Sequence, residues 1–563
     1  MRKVYLFAIL LLIAPLTGCS FFQDDEPSPH PQSNEEDANE QNDQATNEAQ
    51  NNTMSAKEML TKTVAAAKKG KIAGSNFVAG QTKISEVIQS WGKPGHVNEI
   101  ERGIYAAYPK KNMTFGYRED EPIFDVRFDD ALVHKLTFSL IKQNLGEPDT
   151  IHYFKDAQHN QKILVYNVNK TYQLKFIVPK PTKSHSNPHV DHISVFKPDP
   201  IRKRVRSMTL DEKIGQMVIA GIDGTSLSGH TKKLINHQKI GGFILYQQNI
   251  QTTEQTRTLL NDMKTENADN RLPLFLSVDQ EGGSVDRMPD EFVDFPTNRA
   301  IGNVGNPQFS YKVGQLLGKE LQAFGFNMDF APVLDINSNP DNPVIGDRSF
   351  SAKPGIVSRL GIQTMKGIQT HNVIPVVKHF PGHGDTSVDS HVGLPKLSDG
   401  LEHLRNFELV PFSKAIQKGA DAVMIAHILF PKLDTDYPAS MSKKIITGIL
   451  RNELNFEGVV ITDDMTMGAI SKNYGVGKAS VKSVNAGSNI ILVAHQYNKV
   501  TKVIQALKTA TQNGDIPKEK INNSVYKIIQ LKRKYDLSNQ KAGPIDVQAV
   551  NDSIRSVLNQ YMD

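Results

Sequence analysis

Cysteine and tryptophan are almost absent from this chain. Its 563 residues include one cysteine, Cys19, so no intramolecular disulfide can form and no cysteine-based metal site is possible elsewhere. We expect the one tryptophan, Trp91, to pack in a core, because tryptophan is usually buried. The fold must therefore be stable without covalent cross-links.

A dinucleotide-binding fingerprint is also missing. No Gly-x-Gly-x-x-Gly follows an early strand-like segment, so a dinucleotide crevice lacks support. Hydrophobic residues make up 39% of the chain and charged residues 22%, which is typical of a soluble globular protein. The length predicts two or three domains, because a single core rarely extends over so many residues.

The first apolar run is too short to span a membrane. Arg2 and Lys3 precede an apolar run over residues 4–14, and small residues follow before Cys19. This pattern indicates a secretory signal over residues 1–19. The sequence at residues 16–19, Leu-Thr-Gly-Cys, resembles a bacterial lipobox, in which the cysteine becomes lipidated. That resemblance implies an extracytoplasmic protein anchored to the cell membrane by lipid at Cys19.

Basic residues are absent from the next segment. Residues 23–53 contain nine Asp and Glu and no Lys or Arg. Because such a segment cannot bury enough apolar surface to fold, we expect a disordered acidic linker over residues 20–58.

A small α+β domain is predicted over residues 73–198. Its strand candidates, rich in β-branched and aromatic residues, are 113–117, 124–128, 163–168, 172–178 and 192–196. A weak internal repeat places a short helix ended by Gly-x-Pro at 87–94 and again at 140–148, which predicts two related halves. The domain resembles one of unassigned function found in extracytoplasmic bacterial proteins, and it contains no cluster of catalytic residue types.

Strand-like and helix-like segments alternate over residues 199–540. The strand candidates are 217–221, 242–246, 274–278, 328–332, 374–378, 422–426, 458–462 and 489–494. Helix-length segments separate them, among others 253–266, 310–324, 353–370 and 404–418. Eight such strands predict an α/β fold with a (β/α)8 barrel, and a doubly wound open sheet is the alternative. Residues 541–563 are expected to form a C-terminal helical tail.

Polar residues follow five of the predicted barrel strands. Asp279 comes after the third, Asp335 after the fourth, Lys378 at the end of the fifth, His427 after the sixth and Asp463 after the seventh. In a (β/α)8 barrel these positions converge at the C-terminal face, where the chemistry takes place.

The most unusual segment runs from Lys378 to His391. It contains three histidines, two aspartates and a lysine within fourteen residues. Asp389 and His391 are two residues apart, and a carboxylate beside an imidazole orients it and tunes it for proton transfer near neutral pH. A solvated polar loop is the alternative, but the density of reactive side chains favours a catalytic loop.

Two long motifs resemble those of glycoside hydrolase family 3. The segment 449–464, which ends with Asp463 and Asp464, looks like the nucleophile signature of that family. With the 378–391 run, it is similar to the β-N-acetylglucosaminidase branch, over roughly residues 205–540. The resemblance implies that Asp463 is the nucleophile, His391 the general acid/base and Asp389 its partner. An aspartate that ends a strand is often a helix N-cap, a role that suits Asp464 better.

The resemblance also implies a set of sugar-binding residues: Asp279, Arg287, Arg348, Lys378 and His379. The family often has an arginine directly after Gly-Gly in the third loop. This chain has Ser284 there, which leaves Arg287 as the matching cation. Arg348 could instead pair with Asp347 or Asp335, and His379 could be a buried core histidine.

A zinc site is the competing interpretation of the histidine-rich segment. His383, Asp385 and His391 could supply three ligands, which suffice for a catalytic zinc with one open position. However, no helical His-x-x-x-His pair accompanies them, and glycines flank His383 as in the sugar-hydrolase loop. We expect no metal and no cofactor.

The resemblance predicts an exo-acting, retaining β-N-acetylglucosaminidase that removes terminal N-acetylglucosamine from peptidoglycan-derived or related β-linked glycans. The alternatives are a cell-wall-binding lipoprotein without turnover and a family-3 glycosidase or phosphorylase of another sugar specificity. We expect a carbohydrate substrate, a membrane contact through the lipid anchor, no nucleic-acid partner and a monomer.

Overall fold

The computed structural model describes residues 54–100, 103–119, 121–390 and 393–562. It divides into two compact units between Lys197 and Pro198, one residue from the predicted boundary, and each unit has its own hydrophobic core. The predicted signal sequence, Cys19 and nearly all of the predicted acidic linker lie outside the described residues.

The smaller unit is an α+β domain of three helices and an eight-stranded sheet. The helices are α1 Ala56–Ala67, α2 Ile84–Trp91 and α3 Phe138–Leu145. The strands are β1 His96–Ile100, β2 Gly103–Tyr108, β3 Met113–Tyr117, β4 Asp125–Phe128, β5 Thr150–Lys155, β6 Asn160–Asn167, β7 Gln173–Pro179 and β8 His192–Phe196.

This unit begins earlier than the predicted residue 73. The Ser55 side chain caps α1 by accepting a hydrogen bond from the Glu58 N–H, and Met59 and Leu60 are buried in the core of the small domain. The predicted linker ended at residue 58 and the predicted domain began at residue 73, so most of α1 lay in a stretch that neither prediction covered.

The internal repeat is visible in the sheet, whose strand order is β1-β2-β3-β4-β8-β7-β6-β5. Every neighbouring pair is antiparallel, and β4 and β8 meet at the centre. The Tyr108 hydroxyl donates to the Gly92 carbonyl, which ends α2, and the Tyr166 hydroxyl donates to the Gly146 carbonyl, which ends α3, both at 3.0 Å. The two halves are therefore built alike. Trp91 packs edge-on against Phe77 at 4.9 Å between ring centroids.

The larger unit is the predicted barrel of eight parallel strands. They are β9 Val218–Gly221, β10 Gly242–Leu245, β11 Phe275–Val278, β12 Met328–Asp329, β13 Ile374–Phe380, β14 Ala422–Ile425, β15 Val459–Thr462 and β16 Ile491–Val493. The order is β15-β14-β13-β12-β11-β10-β9-β16, and a parallel bridge between Ile461 and Ile490 nearly closes the sheet. Almost every strand residue is buried, as expected for a parallel sheet covered on both faces.

Helices surround the barrel. They are α4 Pro200–Ser207, α5 Leu210–Gln216, α6 Gly229–Asn236, α7 Thr253–Glu266, α8 Asn298–Val304, α9 Pro307–Phe324, α10 Pro354–Gln369, α11 Leu401–Asn406, α12 Leu409–Gln417, α13 Gly468–Ser471, α14 Val476–Ala486, α15 Tyr497–Gln512, α16 Lys518–Lys534 and α17 Val547–Met562. A π-helical segment, Lys444–Glu453, lies between β14 and β15. Within the described part of the chain, none of the helices has the length and apolarity that a membrane crossing requires.

The C-terminal helix α17 packs on the barrel. Ile554 is fully buried in the barrel core, and Tyr561 stacks on Phe309 of α9 at 5.1 Å between ring centroids. The Asn551 side chain accepts a hydrogen bond from the Val293 N–H at 2.9 Å and donates to the Glu291 carbonyl at 2.8 Å. The predicted tail is thus an integral helix of the larger unit and supports the loop that follows β11.

Candidate active site

The predicted polar side chains lie at the C-terminal ends of the barrel strands. Asp279 directly follows β11, Lys378 and His379 are near the C-terminal end of β13, and Asp463 directly follows β15. Because parallel strands all end at the same face of a barrel, these residues surround one mouth.

A buried ion network forms the floor of the site. The Lys378 Nζ atom lies 2.5 Å from Asp279 Oδ1 and 2.6 Å from Glu281 Oε1. Arg348 binds Glu281 with two parallel hydrogen bonds, from Nε at 2.9 Å and from Nη2 at 2.7 Å. Two cations and two carboxylates therefore hold each other in fixed positions, and the bidentate geometry fixes the plane of the guanidinium.

The network keeps Glu281 and Lys378 charged despite their burial. Burial alone would raise the pKa of Glu281, but Arg348 and Lys378 lower it below its usual range. Burial alone would lower the pKa of Lys378, but Asp279 and Glu281 raise it. Arg348 pairs with Glu281, so the alternative pairing with Asp347 or Asp335 that the sequence left open is not the one formed.

Asp335 organises the start of the histidine-rich segment. Its carboxylate is fully buried and accepts hydrogen bonds from the His379 ring Nδ1 at 2.7 Å and from the His383 N–H at 2.7 Å. Burial would raise the pKa of Asp335, but His379 and His383 lower it. His379 is therefore a buried histidine whose ring is oriented by a carboxylate at the mouth of the site.

Asp463 and Asp464 have different environments. Asp464 accepts hydrogen bonds from the N–H groups of Thr466 and Ala494, both at 2.9 Å, and from the Thr466 hydroxyl. These bonds close a local turn and join it to the end of β16, so the helix N-cap predicted for Asp464 is wrong: the N-cap residue of α13 is Met467, which makes no side-chain capping bond. The Asp463 N–H donates to the Ile425 carbonyl at 3.0 Å, and its Oδ1 accepts from the Asp464 N–H at 2.8 Å, so its carboxylate is oriented by the backbone of the turn.

The histidine-rich segment enters the same mouth. The electrostatic field of Asp463 acts on His383 and on Tyr246. Asp389 is partly buried, and its carbonyl accepts a hydrogen bond from the Gly393 N–H at 3.0 Å. His391, the predicted acid/base, lies outside the described residues, so its role stays a prediction.

Arg287 is positioned by a buried glutamine. The Gln280 Oε1 atom accepts from the Arg287 N–H at 2.8 Å, and the Gln280 amide donates to Asp286 at 2.9 Å and to Glu320 at 3.3 Å. Within the described residues the buried Arg287 Nε has no hydrogen-bond partner. A buried donor of this kind is costly unless a ligand satisfies it, which suits a substrate-binding arginine.

Sequence reasoning missed three residues of the site. The first is Glu281, which binds both Lys378 and Arg348; the sequence indicated only the nearby Asp279 as a sugar-binding residue. Tyr246, directly after β10, stacks on His495, two residues after the end of β16, at 5.2 Å between ring centroids. Burial and the fields of Asp464, Asp279 and Asp463 raise the pKa of Tyr246. Their positions after barrel strands were the available signal.

The zinc alternative includes His391, which lies outside the described residues, so it is not tested as a whole. Within the described ranges no group of three or more His, Cys, Asp or Glu side chains could hold a metal ion. Both ring nitrogens of His383 are instead bonded to hydroxyl groups, of Thr386 at 2.8 Å and of Ser390 at 3.2 Å.

Charged side chains at the C-terminal strand ends of a (β/α)8 barrel are the arrangement found in barrel enzymes of many kinds. Comparison with known proteins identifies the family. The model described as "Glycosyl hydrolase family 3 N terminal domain" matches residues 209–531, and the chain belongs to this family. A second model, "Domain of unknown function (DUF4309)", matches residues 60–196, that is, the small domain.

Several relatives have names that describe an activity. Beta-hexosaminidase A of Pseudoalteromonas piscicida is 36% identical over 334 residues, and the match spans 55% of this chain and 56% of that relative's length. Beta-hexosaminidase of Idiomarina loihiensis is 34% identical over 295 residues, spanning 52% of this chain and 87% of the relative. The solved structure of a family 3 β-N-acetylglucosaminidase from Paenibacillus sp. str. FPU-7 shares 40% identity with a TM-score of 0.60, covering 63% of this chain and 69% of that one.

Proposed function

We propose that this glycoside hydrolase is an exo-acting, retaining β-N-acetylglucosaminidase that removes terminal N-acetylglucosamine from β-linked, cell-wall-derived glycans. The observation that carries the proposal is the network of Asp279, Glu281, Lys378 and Arg348, which lies at the same C-terminal face of the barrel as Asp463. The names of the relatives support the choice of sugar.

The proposed reaction has two steps. In the first, an Asp463 oxygen attacks the anomeric carbon while His391 donates its proton to the departing glycosidic oxygen, so one C–O bond forms as the other breaks. In the second, His391 takes a proton from water, whose oxygen attacks the anomeric carbon and releases Asp463. Two displacements retain the configuration. Asp389 stabilises the imidazolium of His391 and orients its ring.

The proposed sugar contacts follow from the charges on the floor of the site. The Asp279 carboxylate accepts hydrogen bonds from hydroxyl groups of the sugar. The oxygen atoms of the sugar accept hydrogen bonds from three cations, Lys378, Arg348 and Arg287. Hydrogen bonds to charged groups contribute about 1.5–3 kcal/mol each. Because the Lys378 and Arg348 side chains are already fixed by Glu281, little side-chain entropy is lost when the sugar binds.

We also propose the cellular setting indicated by the sequence. Lipidation at Cys19 would place the enzyme outside the cytoplasm on the cell membrane, next to cell-wall glycans. A loss of membrane fractionation in a Cys19→Ala variant would support the anchor, and unchanged fractionation would contradict it. We propose a monomer, which a molar mass of one chain in light scattering would support.

Two alternatives lead to different outcomes. A cell-wall-binding protein would bind the sugar without hydrolysing it. A phosphorylase would require inorganic phosphate; the β-glucoside phosphorylase BglX shares 20% identity at a TM-score of 0.58, a likeness that concerns the fold alone.

The test compares aryl β-N-acetylglucosaminide with aryl β-glucoside, using the full chain with and without phosphate. We expect preferential hydrolysis of the N-acetyl sugar, independent of phosphate. Asp463→Asn should abolish turnover and retain sugar binding, because an amide cannot replace the carboxylate as the nucleophile that forms the glycosyl-enzyme. Asp269→Asn, which removes an exposed carboxylate that precedes β11, is the matched control. Equal rates for Asp463→Asn and the control would contradict the proposal.

A further inference from the structure

The His383 ring joins the two ends of a five-residue segment. Its Nδ1 lies 2.8 Å from the Thr386 hydroxyl and its Nε2 lies 3.2 Å from the Ser390 hydroxyl. A neutral imidazole has one donor and one acceptor nitrogen, and a hydroxyl group can match either. The ring therefore fixes the start and the end of residues 386–390, which we call the clamped segment.

His383 is itself held rigidly. Its side chain is buried, its N–H donates to Asp335 Oδ1 at 2.7 Å, and its carbonyl accepts from the Asn342 side chain at 2.9 Å. The next residue is Gly384, whose backbone passes so close to the Ile336 carbonyl that a Cβ atom would lie 1.8 Å from that oxygen. The anchor of the clamped segment is thus fixed to the loop that follows β12.

The clamped segment is buried at its ends and exposed at its tip. Thr386 and Ser390 are 1% and 2% exposed, whereas Val388 is 42% exposed. The Ser390 carbonyl also accepts a hydrogen bond from the Ala469 N–H at 3.2 Å, which ties the end of the segment to α13 after β15. Asp389 directly precedes Ser390, so the position of Ser390 determines where the Asp389 backbone lies.

We propose that His383 is a positioning residue that, through Ser390, sets the location of Asp389 relative to Asp463. This inference rests on the proposed function, in which Asp389 and His391 assist departure of the aglycone. Ser390 is the residue between the two members of the pair, and it is bonded at its side chain to His383 and at its carbonyl to Ala469.

A catalytic role for His383 itself does not fit the geometry. Both ring nitrogens are occupied by hydroxyl groups of the protein, so neither is directed at a substrate. Burial and the nearby His379 lower the pKa of His383 to about 4, partly offset by Asp335 and Asp463. The clamp is consequently neutral, and its hydrogen bonds stay constant at the pH values where an acid/base histidine titrates.

The test uses the dependence of rate on the leaving group. Aryl N-acetylglucosaminides with phenol and with 2,4-dinitrophenol as leaving groups are compared in the full chain, because only the poorer leaving group needs a proton from the acid. The variants are Ser390→Ala, which removes one arm of the clamp, and His383→Ala, which removes both. Ser310→Ala is the control, since it removes another fully buried serine hydroxyl, on α9 and bonded to the Leu360 carbonyl.

We expect Ser390→Ala to lower kcat/KM for the phenyl glycoside roughly tenfold, a part of the 10²–10⁴-fold typical of general acid catalysis, and to change the dinitrophenyl rate by less than about threefold. His383→Ala should show the same selectivity with a larger loss, and Ser310→Ala should show none. If both clamp variants slow the two substrates equally, or not at all, the clamp role is wrong although the proposed function stands. If the unmodified protein hydrolyses neither N-acetylglucosaminide, the proposed function fails, and the inference fails with it.

Discussion

At the scale of single residues, Glu281 is the centre of the site although it is not a candidate substrate ligand. It binds Arg348 through both oxygens and Lys378 through one. The sequence could not reveal this role, because the three residues are far apart in the chain and meet only when β11 and β13 and the loop after β12 are assembled. The positions of Asp279 and Asp463 at the mouth of the barrel could be predicted, because each residue directly follows a predicted strand and lies in a recognisable motif.

The change Glu281→Gln should destabilise the protein by about 3–5 kcal/mol, because removing one partner of a buried ion network leaves cations without compensation. The free energy of unfolding in denaturant measures this. Glu453→Gln is the matched control, since Glu453 also binds an arginine, Arg405, through two hydrogen bonds but at the surface. A loss for Glu281→Gln no larger than that of the control would contradict the role of the network.

His383 should make stability depend on pH. The pKa of His383 is about 4 in the folded protein, against 6.5 for a histidine in the unfolded chain. Between these two pH values the unfolded chain therefore binds more protons than the folded protein. Stability from this group is therefore complete above pH 6.5 and is lost as pH falls towards 4, by up to roughly 3 kcal/mol.

The measurement is the free energy of unfolding at several pH values for the unmodified protein and for His383→Gln. The difference between the two curves isolates His383 from the other buried acids, such as Asp335, whose pKa is lowered and whose contribution is lost only below its ordinary value. A difference that does not change between pH 4 and 6.5 would show that His383 is not buried in its neutral form.

At the scale of elements, the sequence located all eight barrel strands to within a few residues but missed β1, β2 and β5 of the small domain. β1 and β5 are edge strands with every residue exposed. β1 contains more polar than apolar residues, whereas β5 alternates polar and apolar residues over 150–153, a signal of a strand that was overlooked. The predicted helix 404–418 is divided into α11 and α12. Pro411 explains the break, since it lacks the N–H for a continuous helix and suits a first turn.

Helix α17 should affect the site through one side chain. Asn551→Ala leaves the Val293 N–H and the Glu291 carbonyl without their partner and should cost about 1–3 kcal/mol. Because the loop they belong to also carries Arg287, we expect a higher KM with little change in kcat. Ser556→Ala, on the exposed side of α17, is the control for unfolding and kinetics. Unchanged stability and KM in Asn551→Ala would contradict this coupling.

At the scale of the whole molecule, the division into two units predicts where activity resides. Every described side chain of the candidate site belongs to the unit that begins at Pro198, and each unit has a core of its own. The barrel and its mouth could be predicted from the alternating pattern. The start of the small domain was missed although α1 contains Met59, Leu60 and Val64, because the predicted linker extended into α1 and residues 59–72 were left unassigned.

The fragment 198–563 should therefore fold cooperatively and hydrolyse a small aryl N-acetylglucosaminide within about threefold of the kcat/KM of the full chain, because the substrate is too small to need another domain. Circular dichroism establishes the folding of the fragment, and the same assay of the full chain is the reference. A folded fragment with a loss of tenfold or more would show that the small domain contributes to the reaction.

The strand order of the small domain is symmetric about the central β4–β8 pair: β1 to β4 run from one edge to the centre, and β5 to β8 run in the same order from the other edge to the centre. A chain of half the length could form the same sheet by pairing its fourth strand with that of a second copy, as a symmetric homodimer. Joining two copies in one gene replaces a concentration-dependent association by an intramolecular one with a high effective concentration. The two copies can then diverge independently, so each end of the sheet can acquire a surface that a symmetric dimer would have to present twice.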